Sequence, residues 1–278
     1  MNLFDLFLIN PILNLLIAIF KILDGIAIPS ALGFSIILLT VIIRLALWPL
    51  TSAQLKSTAK MAALKPHLDR IKQEHGHDKV RHQQEVANLY KEHGVNPLAG
   101  CLPLLLQLPV FFALYNVLNR VVRADGQDFV NTINSKLYFG SLHLDQTPST
   151  SFLGFSLSSK PSDWHQVGIV ILVIPILTGL FQFLQSKMMT PVQAPQASVD
   201  SKKPVPADKS KESMEDTMAQ VQSQMTFIMP AMIAFFSYGF PVGLSLYWNT
   251  FTIIGVIQQY VISGPGSLAK YLPEKWRK

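Results

Sequence analysis

The chain has 278 residues, 49% hydrophobic and only 14% charged, with a formal net charge of +6. Soluble domains carry about 25% charged residues. Here long uncharged windows alternate with windows that hold nearly all the Lys, Arg, Asp and Glu, which argues against a soluble domain and for a polytopic membrane protein.

The first residues, Met-Asn-Leu-Phe-Asp, carry no basic n-region, no small-residue cleavage site and no lipidation cysteine, so no secretory signal is expected. Residues 1–29 are predicted to hold an amphipathic helix. Asn10 can cap it with Pro11 at its first position, and Gly25 can end it. Pro11–Asp24 makes only about 21 Å of helix, too short to span. Asn14, Ala18, Lys21 and Gly25 fall at helical spacing opposite Leu, Ile and Phe, the pattern of a helix lying in the membrane surface; a tilted sixth span is the alternative.

Ser30–Leu50 follows with a single charge, Arg44, and Leu98–Leu118, Val167–Ser186, Met218–Phe240 and Val242–Ser263 have none. Each is about 20 residues, enough to cross a hydrocarbon core of roughly 30 Å. They predict spans at 30–53, 98–119, 167–188, 218–240 and 242–263. Residues 54–97 read as a polar helical hairpin, Gln54–Glu74 and Asp78–Glu92, turning at His75-Gly76-His77, with Asp78 as a cap and Gly94 and Pro97 as stops. Residues 120–166 form a loop on the opposite side. Within 189–217, Thr190–Ser213 is rich in Pro, Ser, Lys and Ala without periodicity and is expected to be disordered. A short tail, 264–278, ends the chain. The fold class is thus an all-α polytopic membrane protein: five transmembrane helices, an N-terminal interfacial helix and a cytoplasmic helical hairpin. Basic residues set its orientation. Seventeen lie in 54–97, after the third span and after the fifth, against five on the other side (Lys21, Arg120, Arg123, Lys136, Lys160), so the N-terminus is expected outside and the C-terminus in the cytoplasm.

Arg44 is the one ionisable side chain inside a span, roughly 9 Å in from Leu50. It can snorkel to headgroups or face a wet cavity in the bundle, since charge at membrane depth is otherwise expensive. Thr40 and Thr51 share its face, and Gln107, Asn116, Gln182, Trp248 and Asn249 are polar-tipped residues on other spans. Together they suggest a hydrophilic groove open to the cytoplasm. Met214, Met218, Met225, Met229 and Met232 return to one helical face, either as bundle packing or as an adaptable apolar stripe for substrate, with Met225, Met229 and Met232 its membrane-embedded members. No span contains Asp, Glu or His, and no phosphate loop or protease motif appears, so no catalysis and no cofactor are expected. Cys101 is the only cysteine, and His67, His75, His77, His82 and His93 read as a solvated hairpin face with a polar turn, so no metal site is expected.

Several stretches resemble the YidC/Oxa/Alb membrane-protein insertases. Arg44 with Trp48-Pro49-Leu50-Thr51, Gln54, Lys60-Met61 and Leu64-Lys65-Pro66 is similar to the end of that family's first span and the start of its hairpin. Val95-Asn96-Pro97-Leu98-Ala99-Gly100-Cys101-Leu102-Pro103, continuing through Leu106-Gln107-Leu108-Pro109 to Leu114-Tyr115, resembles its second span. Phe152–Leu157 is similar to a strip before its third span, and Phe240–Leu244, Leu246-Tyr247-Trp248 and Ile257-Gln258-Gln259 to its fifth. Phe251-Thr252 departs from the Ser-Asn pair common there. The resemblance implies a bacterial inner-membrane insertase of the short form, without a large periplasmic domain. It implies a groove in which Arg44 attracts acidic or polar substrate tails. Its implied partners are nascent membrane proteins, the lipid bilayer, the Sec translocon and, weakly, the ribosome, with no nucleic acid beyond ribosomal RNA. The competing readings are a small-solute transporter or anion channel using Arg44 as its selectivity charge, and a purely structural subunit.

Overall fold

Helix dominates because the apolar residues recur at helical spacing and a backbone in hydrocarbon must satisfy its own hydrogen bonds. The computed structural model describes residues 3–95, 102–122, 127–189 and 214–274, and the side chains within them except at 79, 102–107, 122, 127 and 214–225. The expected disordered stretch Thr190–Ser213 lies outside the described residues, as do Asn96–Cys101. The chain divides into two units, Met1–Pro49 with Pro103–Gln182 and Ala231–Gly255, and Leu50–Leu102 with Phe183–Pro230 and Val256–Lys278.

The first unit begins with α1 (Asn10–Gly25), preceded without a break by a π-helical turn at Asp5–Ile9. The expected helix began at Pro11; the actual one is longer, and Asp5–Gly25 is long and apolar enough to cross a membrane. The reason is local. A proline within a helix lacks an N–H and crowds the carbonyl four residues back, and a widened turn relieves that crowding. The Asn10 N–H accordingly bonds Asp5 O, five residues back, and Asn10 is no cap. Leu13, Leu16, Ile17, Phe20 and Leu23 bury one face of α1 against α2 (Ala31–Ala46). Asn14, expected to face water, is only 6% exposed. Its Nδ2 donates to Asn10 O (2.8 Å) and Lys136 O (3.0 Å), and its Oδ1 accepts from the Tyr138 N–H (2.7 Å). The Lys136 ammonium there is held below the usual lysine range by burial and then by Arg120, against the opposing pull of Asp5. Asn14→Leu would strand the Lys136 carbonyl and the Tyr138 N–H, each worth about 1–3 kcal/mol when buried without a partner. We expect a lower melting temperature in detergent; an unchanged one would make this contact incidental.

Helix α2 buries Ala31, Leu32, Ser35, Ile36, Leu39 and Thr40 and exposes Phe34, Leu38, Ile42 and Leu45, an outward apolar stripe suited to lipid. It stops at Ala46, short of the expected 53, and after Leu47 a new helix, α3 (Trp48–Ala63), starts with Pro49 in its first turn, where a missing N–H costs nothing. Next in this unit come α6 (Leu102–Val122) and α7 (Gln127–Asn134). The 120–166 segment is structured beyond a simple loop. Asn134 clips it, bonding both the N–H and the carbonyl of Leu144 at 2.8 and 2.9 Å. A short antiparallel hairpin, β1 (Ser151–Phe152) and β2 (Phe155–Ser156), turns through Leu153 and Gly154, both at positive φ (48° and 86°), as a tight two-residue turn requires. A single helical turn, α8 (Trp164–Val167), leads to α9 (Val173–Met189), and α10 (Met214–Gly239) and α11 (Val242–Ser263) complete the helices. The carbonyls of Leu157 and Ser159 accept from the Gly243 and Val242 N–H groups at 2.9 Å each, capping the orphan donors that open α11.

In the second unit, α4 (Lys65–His75) and α5 (Lys79–Glu92) form the hairpin. The expected Gln54–Glu74 helix is two, α3 and α4, joined at Leu64. Asp78 caps α5, accepting from the Val80 and Arg81 N–H groups at 3.1 Å. Gly94 at φ +60° ends it, the Val95 N–H reaching back to Tyr90 O and the Gly94 N–H to Lys91 O, a Schellman stop. Leu64, Leu68, Leu89 and Val95 give the hairpin its own small core. The carbonyls ending α9 are bonded by later residues: Ser267 Oγ donates to Lys187 O (2.7 Å) and Gln259 Nε2 to Met188 O (3.5 Å).

Candidate functional site

Arg44 sits in the last turn of α2, only 5% exposed. Its Nε and Nη2 both donate to the backbone carbonyl of Phe251 on α11, at 3.2 and 2.8 Å. A helical carbonyl keeps a second lone pair, so it can take this bond. The guanidinium carbon also lies 3.5 Å from the centre of the Phe251 ring, a stacked cation–π contact. One residue thus meets the charge with both a dipole and a π face. Phe251 was marked in the sequence only as a departure from a Ser-Asn pair; it is the residue on which the guanidinium rests. Thr252 beside it is buried, its hydroxyl returned to Trp248 O.

A second polar layer lies between α9 and α11. Trp248 Nε1 donates to Gln182 Oε1 at 3.2 Å, while its ring meets Phe111 edge-on at 5.4 Å. Ser237 Oγ lies 3.3 Å from Thr178 Oγ1 and 3.0 Å from Ser245 Oγ, tying α9, α10 and α11 together through three buried hydroxyls. With Ile233, Phe240 and Trp248 these hydroxyls line a narrow cleft. Interhelical bonds of this sort hold membrane helices in register. The sequence reading missed Thr178, Ser237 and Ser245, although Ser245, Asn249 and Thr252 fall at i, i+4 and i+7, a polar stripe that could have pointed to this face.

The other expected groove residues scatter. Thr40 and Asn116 bond carbonyls of their own helices, Ile36 O at 2.7 Å and Phe112 O at 2.8 Å. Asn249 Oδ1 is buried without a hydrogen-bond partner among the described residues. Thr51 belongs to the second unit, where it pairs with Gln258. Met229 is half-buried and Met232 is exposed, whereas the side chains of Gln107 and Met225 lie outside the described residues.

Residues 25–267 match the family described as 60Kd inner membrane protein. Among curated relatives, the membrane protein insertase YidC of Fusobacterium nucleatum is 35% identical over 236 residues, covering 84% of this chain and 87% of its own length. The YidC of Rickettsia conorii is 36% identical over 232 residues, 83% of this chain but 35% of the relative, so the chain spans about a third of the length of that protein. A crystal structure of an active YidC insertase with its first transmembrane domain resolved aligns with a TM-score of 0.56 at 26% identity, covering 94% of this chain and 47% of that one.

Proposed function

Because the chain belongs to the 60Kd inner membrane protein family, that of the YidC insertases, we propose that it inserts and helps fold nascent membrane proteins without catalysis of its own. It is a multi-pass inner-membrane protein; the excess of basic residues in 54–97 favours that hairpin and the C-terminus on the cytoplasmic side. The reading rests on one observation: a positive charge within a long apolar window, buried against a carbonyl dipole and a ring. A short acidic or polar substrate tail would be drawn to Arg44, exchanging with the Phe251 carbonyl. Asn249 and Gln182 would offer amides to its backbone, and Met232, with Met225 and Met229, would meet the apolar part of the substrate. The ribosome and the Sec translocon are the proposed cytoplasmic and membrane partners.

A photo-crosslinking amino acid at Gln182 or Asn249 should capture a ribosome-stalled membrane-protein chain, while one at exposed Leu38 should capture far less. Equal capture at all three would remove the groove from this account. Anion flux through reconstituted liposomes without substrate would instead support a channel.

The hairpin should be needed for function and dispensable for folding. Its apolar contacts close on themselves around Leu64, Leu68, Leu89 and Val95. Replacing Met61–Glu92 with a flexible linker of similar reach should leave membrane abundance unchanged while insertion falls severalfold. Retained insertion would make the hairpin a connector.

A further inference from the structure

The five hairpin histidines are spread over 27 residues, 67 to 93, and the fold brings the first and the last of them together. His67 lies in the first turn of α4 and His93 follows the last residue of α5, and their ring centres are 6.2 Å apart. Both are exposed and open to an incoming ion. His75 and His77 sit at the far turn, and His82 is buried.

The orientation of His93 is the more telling feature. Its Nδ1 lies 2.9 Å from the carbonyl of Leu89. A carbonyl only accepts, so this contact requires the proton on Nδ1 and leaves Nε2 with its lone pair in the neutral ring. Imidazoles that bind metal are usually held in this way, one nitrogen donating to a backbone oxygen while the other ligates. The backbone beneath is fixed as well. Leu89 and Leu68 are core residues of the hairpin, and the Gly94 stop sets the chain direction just after His93.

We propose that His67 and His93 form a two-imidazole site for a divalent transition-metal ion such as Zn²⁺ or Cu²⁺, with water completing its shell. Imidazole nitrogens suit these borderline ions. Nitrogens about 2.0–2.1 Å from a shared ion put the ring centres about 5–6 Å apart, which small rotations of two exposed side chains reach from the present separation. Among the described residues no third His, Cys, Asp or Glu joins them, so the site would be an exchangeable one. Bound metal would clip the start of α4 to the end of α5 at the base of the hairpin.

The test uses the full-length chain in detergent, purified without a histidine tag and titrated with Zn²⁺ against a chromogenic chelator. One equivalent should bind, at least tenfold more weakly in either His67→Gln or His93→Gln, with affinity unchanged in a His75→Gln/His77→Gln double variant. Circular dichroism establishes that each variant keeps its helices. Independently of any variant, Cu²⁺ added to the wild-type protein should give an electron paramagnetic resonance spectrum with coupling to two imidazoles. No saturable binding, equal loss in the His75/His77 double variant, or a single-imidazole spectrum would overturn the site.

Discussion

Arg44→Glu is expected to abolish insertion of substrates with acidic external tails, and Arg44→Met to reduce it more than tenfold. The two variants separate charge from architecture. Arg44 is buried against Phe251, where its N–H groups meet a carbonyl oxygen and its plane meets a ring. A glutamate there would set an anion against an acceptor and a π face, both repulsive, in a place where an uncompensated buried charge costs several kcal/mol. Some loss of stability is therefore built into that variant. Methionine fills the aliphatic volume of the arginine without charge or donors, so the helices should pack nearly as before, with an unchanged melting temperature. Arg44→Lys keeps the charge but loses the planar fork and the stack, and should retain much of the activity. Insertion by Arg44→Met at the wild-type level on acidic-tailed substrates, with wild-type abundance, would end the electrostatic account.

How much of this was legible depends on whether each feature is local. Asp78 announces its cap because a carboxylate before a polar helical run has one local use, and α11 runs from Val242 to Ser263 because apolar windows and helices share one period. The pairing of Gln182 with Trp248 was within reach, since polar tips inside spans need partners. The Arg44–Phe251 bond was not, for the acceptor is a backbone carbonyl, which every residue has. Asn14 was misread for a related reason. Helical spacing shows which face is polar, not what covers it, and its cover comes from residues 136 and 138, some 120 positions on. The two misplaced helix starts share a cause in proline, whose lost N–H was treated as a beginning at Pro11, where the helix widens instead, and was ignored at Pro49, where a helix does begin.

The second large effect is expected from a glycine. Gly33 lies in the first turn of α2 beneath the ring of Phe152, and a Cβ built on it would stand 2.0 Å from Phe152 Cδ2 and 2.6 Å from Cε2. Whether the ring can yield decides the cost. Phe152 is buried, its ring meets Phe34 edge-on at 5.4 Å, and its backbone is pinned by pairing with Phe155 across the Leu153-Gly154 turn. The strand cannot back away without opening that turn, so the ring would have to swing out of the core. Overpacking of this kind costs about 1–3 kcal/mol, and exposing the ring forfeits burial worth about as much again. The damage should spread, because residues 157 and 159, just beyond β2, cap the start of α11. We expect Gly33→Ala to lower the melting temperature in detergent by several degrees and to make the 151–160 segment open to protease. Phe152→Ala removes the obstruction at the price of a cavity. In that background Gly33→Ala should cost almost nothing, so the two substitutions should be strongly non-additive. Simple additivity would mean that Gly33 is required for another reason, and that the β1–β2 hairpin does not rest on α2 through this notch.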